Sequence, residues 1–163
     1  MATITGYSFE TVDGANKMLD LVQNLAKQQL ITVQDAATVT WPKDKKKPKT
    51  KHVDDMTGAG AAGGAFWGML FGLIFFVPFF GMAVGAAMGA LAGHYSNYGI
   101  DKDFIKQAQD KVTEGTSALF LMTSDAVQDK VTDAVVESGI KFDLFSTNLS
   151  DEQEKQLHQD FDA

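Results

Sequence analysis

A chain of 163 residues with a formal charge of −7 has room for one domain, or for one domain with an insertion. It contains no cysteine, which excludes disulfides, thiolate metal sites and thiol catalysis. All fourteen basic residues are lysine. Without arginine, and with net negative charge, bidentate phosphate or guanine recognition is disfavoured, and nucleic acid is not an expected partner.

Residues 3–9 (T-I-T-G-Y-S-F) are β-branched and aromatic, the composition of a short strand. Over residues 11–30, Val12, Ala15, Met18, Leu19, Val22, Leu25, Ala26 and Leu30 recur at three- and four-residue steps, which predicts one face of an amphipathic helix. Residues 36–41 (A-A-T-V-T-W) predict a second strand. A lysine-rich turn, P-K-D-K-K-K-P, follows it, and K-T-K-H-V is the expected hairpin partner. Further on, Asp101 is placed to cap a helix carrying Phe104, Ile105, Ala108 and Val112. Residues 117–123 (S-A-L-F-L-M-T) predict a buried strand. Ser124 then opens a helix with Val127, Val131, Ala134 and Val135 on one side, ended by Gly139. Ile140, Phe142 and Leu144 alternate with Lys141 and Asp143, the period of a half-buried strand. Ser150 and Gln153 form a capping box for a last helix bearing Leu157 and Phe161. With the middle of the chain set aside, the order β-α-β-β-α-β-α-β-α predicts an α+β fold. The expected form is a ferredoxin-like sandwich head with one extra element, built from residues 1–55 and 100–163.

The middle is chemically different. Residues 56–100 contain no Asp, Glu, Lys or Arg, a run about twice as long as one membrane-spanning helix needs. Within it Gly60, Gly64, Gly68 and Gly72, then Gly81, Gly85, Gly89 and Gly93, form two ladders of period four on either side of Val77-Pro78. Residues four apart share a helix face, so each ladder makes a stripe without side chains, a device typical of helix packing in lipid. In water so much helical glycine costs about 0.8–1 kcal/mol per residue relative to alanine. Residues 56–99 are therefore expected to form an inserted apolar glycine-zipper helical hairpin, with Phe75, Phe76, Val77, Pro78, Phe79 and Phe80 at its tip. Lys43, Lys45, Lys46, Lys47, Lys49 and Lys51 flank one base, and Lys102 and Lys106 the other. By the positive-inside rule both bases lie on the cytoplasmic side, where the first six lysines can meet anionic lipid headgroups.

Catalytic signals are weak. Gly58, Gly60 and Gly63 spell G-x-G-x-x-G, but no acid follows in residues 64–100, so helix packing explains them better than dinucleotide binding. His52, His94 and His158 lack ligand spacing, and Asp54, Asp55, Asp101 and Asp103 are explained by helix capping. No nucleophile–base pair stands out, so neither an enzyme nor a cofactor or metal is expected. The N-terminal ten residues have neither a basic nor an apolar stretch of the kind a secretory signal needs, so a cytoplasmic head is expected.

The stretch T-G-A-G-A-A-G-G-A-F-W-G-M-L-F-G-L-I-F, with G-A-L-A-G-H, G-I-D-K-D-F-I-K and S-A-L-F-L-M, resembles a bacterial family known as domain of unknown function 1269. Its members are often labelled membrane or stress-associated. The resemblance covers nearly the whole chain, is most specific in the glycine-rich block, and implies a membrane-associated protein without an assigned activity. It carries over no catalytic residues. The combined expectation is a self-assembling structural or stress-related protein of the bacterial inner membrane, a homo-oligomer in contact with lipid. The alternatives are a soluble homo-oligomeric scaffold with hairpins packed in a central apolar core, and a channel- or transport-like membrane oligomer.

Overall fold

The structure, a computed structural model, describes residues 2–53, 63–76 and 98–161. Five strands form one sheet: β1 (Ala2–Phe9), β2 (Asp35–Thr40), β3 (Lys49–His52), β4 (Ser117–Ser124) and β5 (Asp143–Leu149). Their order is β3-β2-β4-β1-β5, with every neighbouring pair antiparallel. The helices are α1 (Gly14–Lys27), α2 (Gly63–Phe71), α3 (Lys102–Lys111), α4 (Asp125–Ser138) and α5 (Asp151–Phe161).

Strand alternation divides the core in two. On one face Tyr7, Phe9, Ala36, Leu119 and Leu121 pack against Ala15, Met18 and Val22 of α1 and Val131 and Val135 of α4. On the other, Ile4, Ala37, Val39, Ala118, Phe120, Met122, Phe145 and Leu149 meet α2, α3 and α5. Central β4 is buried on both sides, which is why S-A-L-F-L-M-T reads as a continuous apolar run rather than an alternating one. Gly6 of β1 lies under Phe145, whose ring carbons would come within 2.3–2.8 Å of a Cβ there. Burial raises the pKa of the Tyr7 hydroxyl above its ordinary value, against a hydrogen bond with Thr132 Oγ1 at 3.0 Å that acts in the opposite direction.

Several helix ends follow the sequence. Asp101 Oδ1 accepts from Phe104 N at 2.9 Å, and Gly139 ends α4 in the left-handed region. Ser150 N donates to Gln153 Oε1 (2.8 Å) while Gln153 N donates to Ser150 Oγ (3.2 Å), the reciprocal pair of a capping box. The start of α1 is different. It begins at Gly14 rather than near Thr11, and its cap comes from β4: Ser117 Oγ accepts from Ala15 N (3.0 Å) and donates to Thr11 O (2.7 Å).

The expected apolar glycine-zipper hairpin is corrected. Among the described residues no helix is long and apolar enough to cross a membrane. What stands in the first leg is the nine-residue α2, continued by a single π-helical turn, Gly72–Phe76. Phe66, Trp67, Leu70, Phe71, Ile74 and Phe75 are each at most 3% exposed and lie in the core on the second sheet face. The reason is an area requirement: α1 and α4 cover one face of a five-stranded sheet, and its other face needs apolar cover too. Each large side chain buried there contributes about 1.5–3 kcal/mol. A two-layer sandwich head with a separate hairpin is thereby replaced by three layers, with residues 63–76 in the outer one.

The period of four has a second explanation in this layer. The buried pairs 66/67, 70/71 and 74/75 also recur every four residues. On a helix of 3.6 residues per turn that spacing drifts by about 40° at each step. The switch to wider π winding after Phe71 keeps Ile74 and Phe75 turned to the sheet. Gln109 Nε2 of α3 donates to Ile74 O at 3.1 Å, holding that turn in place. Gly68 lies on the exposed side, and a Cβ at Gly68 or Gly72 would meet nothing within 4 Å. Among the described residues no neighbour presses on the ladder at those two positions.

Candidate functional site

The lysine-rich segment is an ordered hairpin at the sheet edge. β2 and β3 pair in the register Ala37↔His52, Thr38↔Lys51, Val39↔Thr50 and Thr40↔Lys49. Their connection is tied to the loop before β4. Trp41 N donates to Thr116 O (2.9 Å), Gly115 N to Trp41 O (2.6 Å), and Asp44 N to Glu114 Oε1 (2.6 Å). The Trp41 indole donates to Lys45 O at 2.8 Å, and its ring stands edge-on to Phe75 with centroids 6.4 Å apart. Pro48 is buried beneath the loop.

These anchors are backbone groups and non-lysine side chains, so the lysine heads are left to solvent. Lys43, Lys45, Lys46, Lys47, Lys49 and Lys51 are all exposed. Among the described residues none of the six is ion-paired to a carboxylate. Six lysines and one aspartate give residues 42–53 a formal charge of +5; with −7 for the chain, the remainder carries −12. The hairpin is thus a small basic projection on an acidic body.

At the base of the hairpin, His52 Nε2 lies 2.6 Å from Asp35 Oδ1, with the His side chain 17% and the Asp side chain 1% exposed. The same carboxylate oxygen accepts from Ala36 N at 2.9 Å. This pair locks β3 onto β2 across the register. Sequence reading treated His52 as isolated, because the two residues lie 17 apart and become diagonal neighbours only once the hairpin is paired. Trp41 and Glu114, which shape the loop, were also missed; 70 residues separate Asp44 from Glu114, and no local pattern marks the contact.

Other residues singled out from sequence are dispersed. Phe75 is a residue of the core rather than of a hairpin tip, and Phe76 ends the π-helical turn. Gly64, Gly68 and Gly72 belong to the α2 layer. Gly60, Val77, Pro78, Phe79, Phe80, Gly81, Gly85, Gly89 and Gly93 lie outside the described residues. Among the described residues no three His, Asp or Glu side chains gather as a metal site would require.

A family model described as Protein of unknown function (DUF1269) matches residues 61–162. The chain belongs to the DUF1269 family. The DUF1269 match begins just before α2 and runs through α5, so it contains the aromatic outer layer, β4 and β5. The lysine hairpin and the strand β1 lie before it. No curated protein and no solved structure matches the chain.

Proposed function

We propose that this DUF1269 protein is a non-catalytic module that adsorbs to anionic lipid surfaces through the hairpin of residues 42–53. The observation that carries this reading is a set of six exposed lysines, without a carboxylate partner among the described residues, on a loop whose backbone is fixed by Trp41, Thr116 and Glu114. A fixed loop loses little conformational freedom on binding, and each lysine close to an anionic surface contributes about 1 kcal/mol. The +5 hairpin on a −12 body also makes a strong dipole, which turns the basic tip toward a negative surface and the acidic body away from it. Lysine without arginine suits a diffuse headgroup layer better than bidentate phosphate recognition. The cytoplasmic leaflet, where anionic lipid is concentrated, is the surface that fits.

Vesicle co-sedimentation tests the proposal. The intact protein is expected to pellet with phosphatidylglycerol-containing vesicles at low salt, to be released at high salt, and to ignore phosphatidylcholine vesicles. Changing Lys45, Lys46 and Lys47 together to Gln should weaken binding roughly 100-fold, at about 1 kcal/mol per lysine. The loop should survive this change, because the residue 45 backbone and not its ammonium makes the anchoring bonds. Equal binding to neutral vesicles, or no loss in the triple variant, would sink the proposal.

A further inference from the structure

We propose that the outer edge of β5, unpaired among the described residues, is a self-association surface, on which a second copy of this chain adds its own β5 antiparallel across a two-fold axis near Phe145. The sheet has two edges, and they are built differently. β3 is four residues long and carries exposed Lys49 and Lys51, with the rest of the basic hairpin beside it. Such charges block edge-to-edge pairing, and two copies of this edge would repel. β5 is seven residues long, D-L-F-S-T-N-L, and has no lysine, no proline and no charge after Asp143. Its pairing with β1 runs from Ser8↔Asp143 to Ala2↔Leu149 without a bulge, so nothing twists the edge away. Its residues make no backbone hydrogen bond to any other described segment. The Gly99 turn reaches the far end of the strand, where Gly99 O accepts from Thr147 Oγ1, and among the described residues the backbone edge before that contact is open.

A second observation marks the same flank. Among the described residues the exposed large hydrophobics are Leu30 (55%), Val136 (63%) and Leu144 (37%). Leu144 lies on β5 itself, and Val136 on α4, the helix that packs over the neighbouring β1. Leu144 is directly opposite Tyr7 in the β1–β5 register, and the Tyr7 hydroxyl bonds Thr132 of α4. Val136 is one turn beyond Thr132 on the same helix face. Half-buried Phe142 packs on the Tyr7 ring with centroids 5.6 Å apart. α4 covers β1 and β4 but leaves Leu144, Ser146 and Asn148 on the outer strand exposed.

A second copy suits this edge because the strand is compatible with itself. With the axis at Phe145, Asp143 faces Thr147, and Leu144 faces Ser146, so no charge meets a like charge. The two Leu144 side chains become diagonal neighbours, the arrangement that brings apolar cross-strand pairs within reach. Two such edges join into one continuous sheet of ten strands, and the operation is closed, leaving only the lysine-protected β3 edges outside.

Mass measurement by light scattering tests this on the full chain. At about 100 µM the protein should have twice its 17.6 kDa chain mass. Leu144→Lys should return it to the single-chain mass with an unchanged far-ultraviolet spectrum, whereas Leu30→Lys, at a more exposed hydrophobic elsewhere, should leave the dimer intact. Should Leu144→Lys fail to fold, Ser146→Lys, exposed on the same face and opposite Leu144 of the second copy, should give the same loss. Hydrogen exchange should show the outward amides of residues 143–147 protected in the dimer and open in the monomeric variant. A single-chain mass for the unchanged protein overturns the proposal. So does a dimer indifferent to both β5 variants, or one broken equally by Leu30→Lys.

Discussion

At the scale of single residues, the core contains polar atoms whose burial has consequences that packing alone does not. Thr5 is 1% exposed, and its Oγ1 has no hydrogen-bond partner. It sits in the middle of β1, between Leu121 of β4 and Ser146 of β5, on the face covered by α1 and α4. A buried hydroxyl without a partner costs the desolvation it lost, about 1–3 kcal/mol. Replacing it by the nearly isosteric valine removes that cost and keeps a β-branched side chain in the strand. Thr5→Val is therefore expected to raise stability by about 1 kcal/mol, read as a higher denaturant midpoint with an unchanged slope. A fall in stability would show that the hydroxyl is hydrogen-bonded after all. Contrast Thr3 in the same strand, equally buried, whose hydroxyl donates to Asn148 Oδ1 at 2.9 Å. In the sequence both are simply β-branched strand residues; only the cross-strand register separates them.

At the scale of elements, periodicity was a good guide to which segments are helices and strands, and a poorer guide to which side they turn inward. The alternation of Ile140, Phe142 and Leu144 is real, but Ile140 and Phe142 precede β5 and only Leu144 lies in it. The strand itself buries Phe145, Thr147 and Leu149. A step of one residue exchanges the two faces of a strand, which is why Leu144 emerges exposed. In α2 the four-residue spacing of Gly64, Gly68 and Gly72 was conspicuous, and the equally regular 66/67, 70/71, 74/75 pairs that bury against the sheet were not. Glycine on the outward side of a helix in water lowers its stability without contributing a contact. Gly68→Ala should consequently stabilise the protein by about 0.5–1 kcal/mol, since the position is exposed and has open space for a methyl group. Thermal unfolding of the variant measures this directly, and a destabilisation would show that the glycine stripe is covered by a close-packed partner.

At the scale of the molecule, the family match and the cooperative unit have different boundaries. Residues 61–162 supply β4 and β5 and the four helices α2 to α5, but β4 pairs on one side with β1 and on the other with β2. Both partners come from outside the match. Without them β4 and β5 are not neighbours in any sheet, since β1 lies between them. Phe120, edge-on in the aromatic cluster to Phe71 at 5.1 Å and to Phe145 at 5.8 Å, would also lose the strands that hold it at that spacing. A fragment of residues 61–163 is accordingly expected to lack a cooperative unfolding transition and to expose apolar surface. Adding residues 1–60 as a separate peptide should restore both, because β1 and β2 can complete the sheet from outside. Circular dichroism and a hydrophobic dye follow the two effects in one titration. Independent folding of the fragment would mean that the α2–α3–α5 layer organises itself, and that the β1–β3 segment with its lysine hairpin is an addition to a stable DUF1269 core rather than part of it.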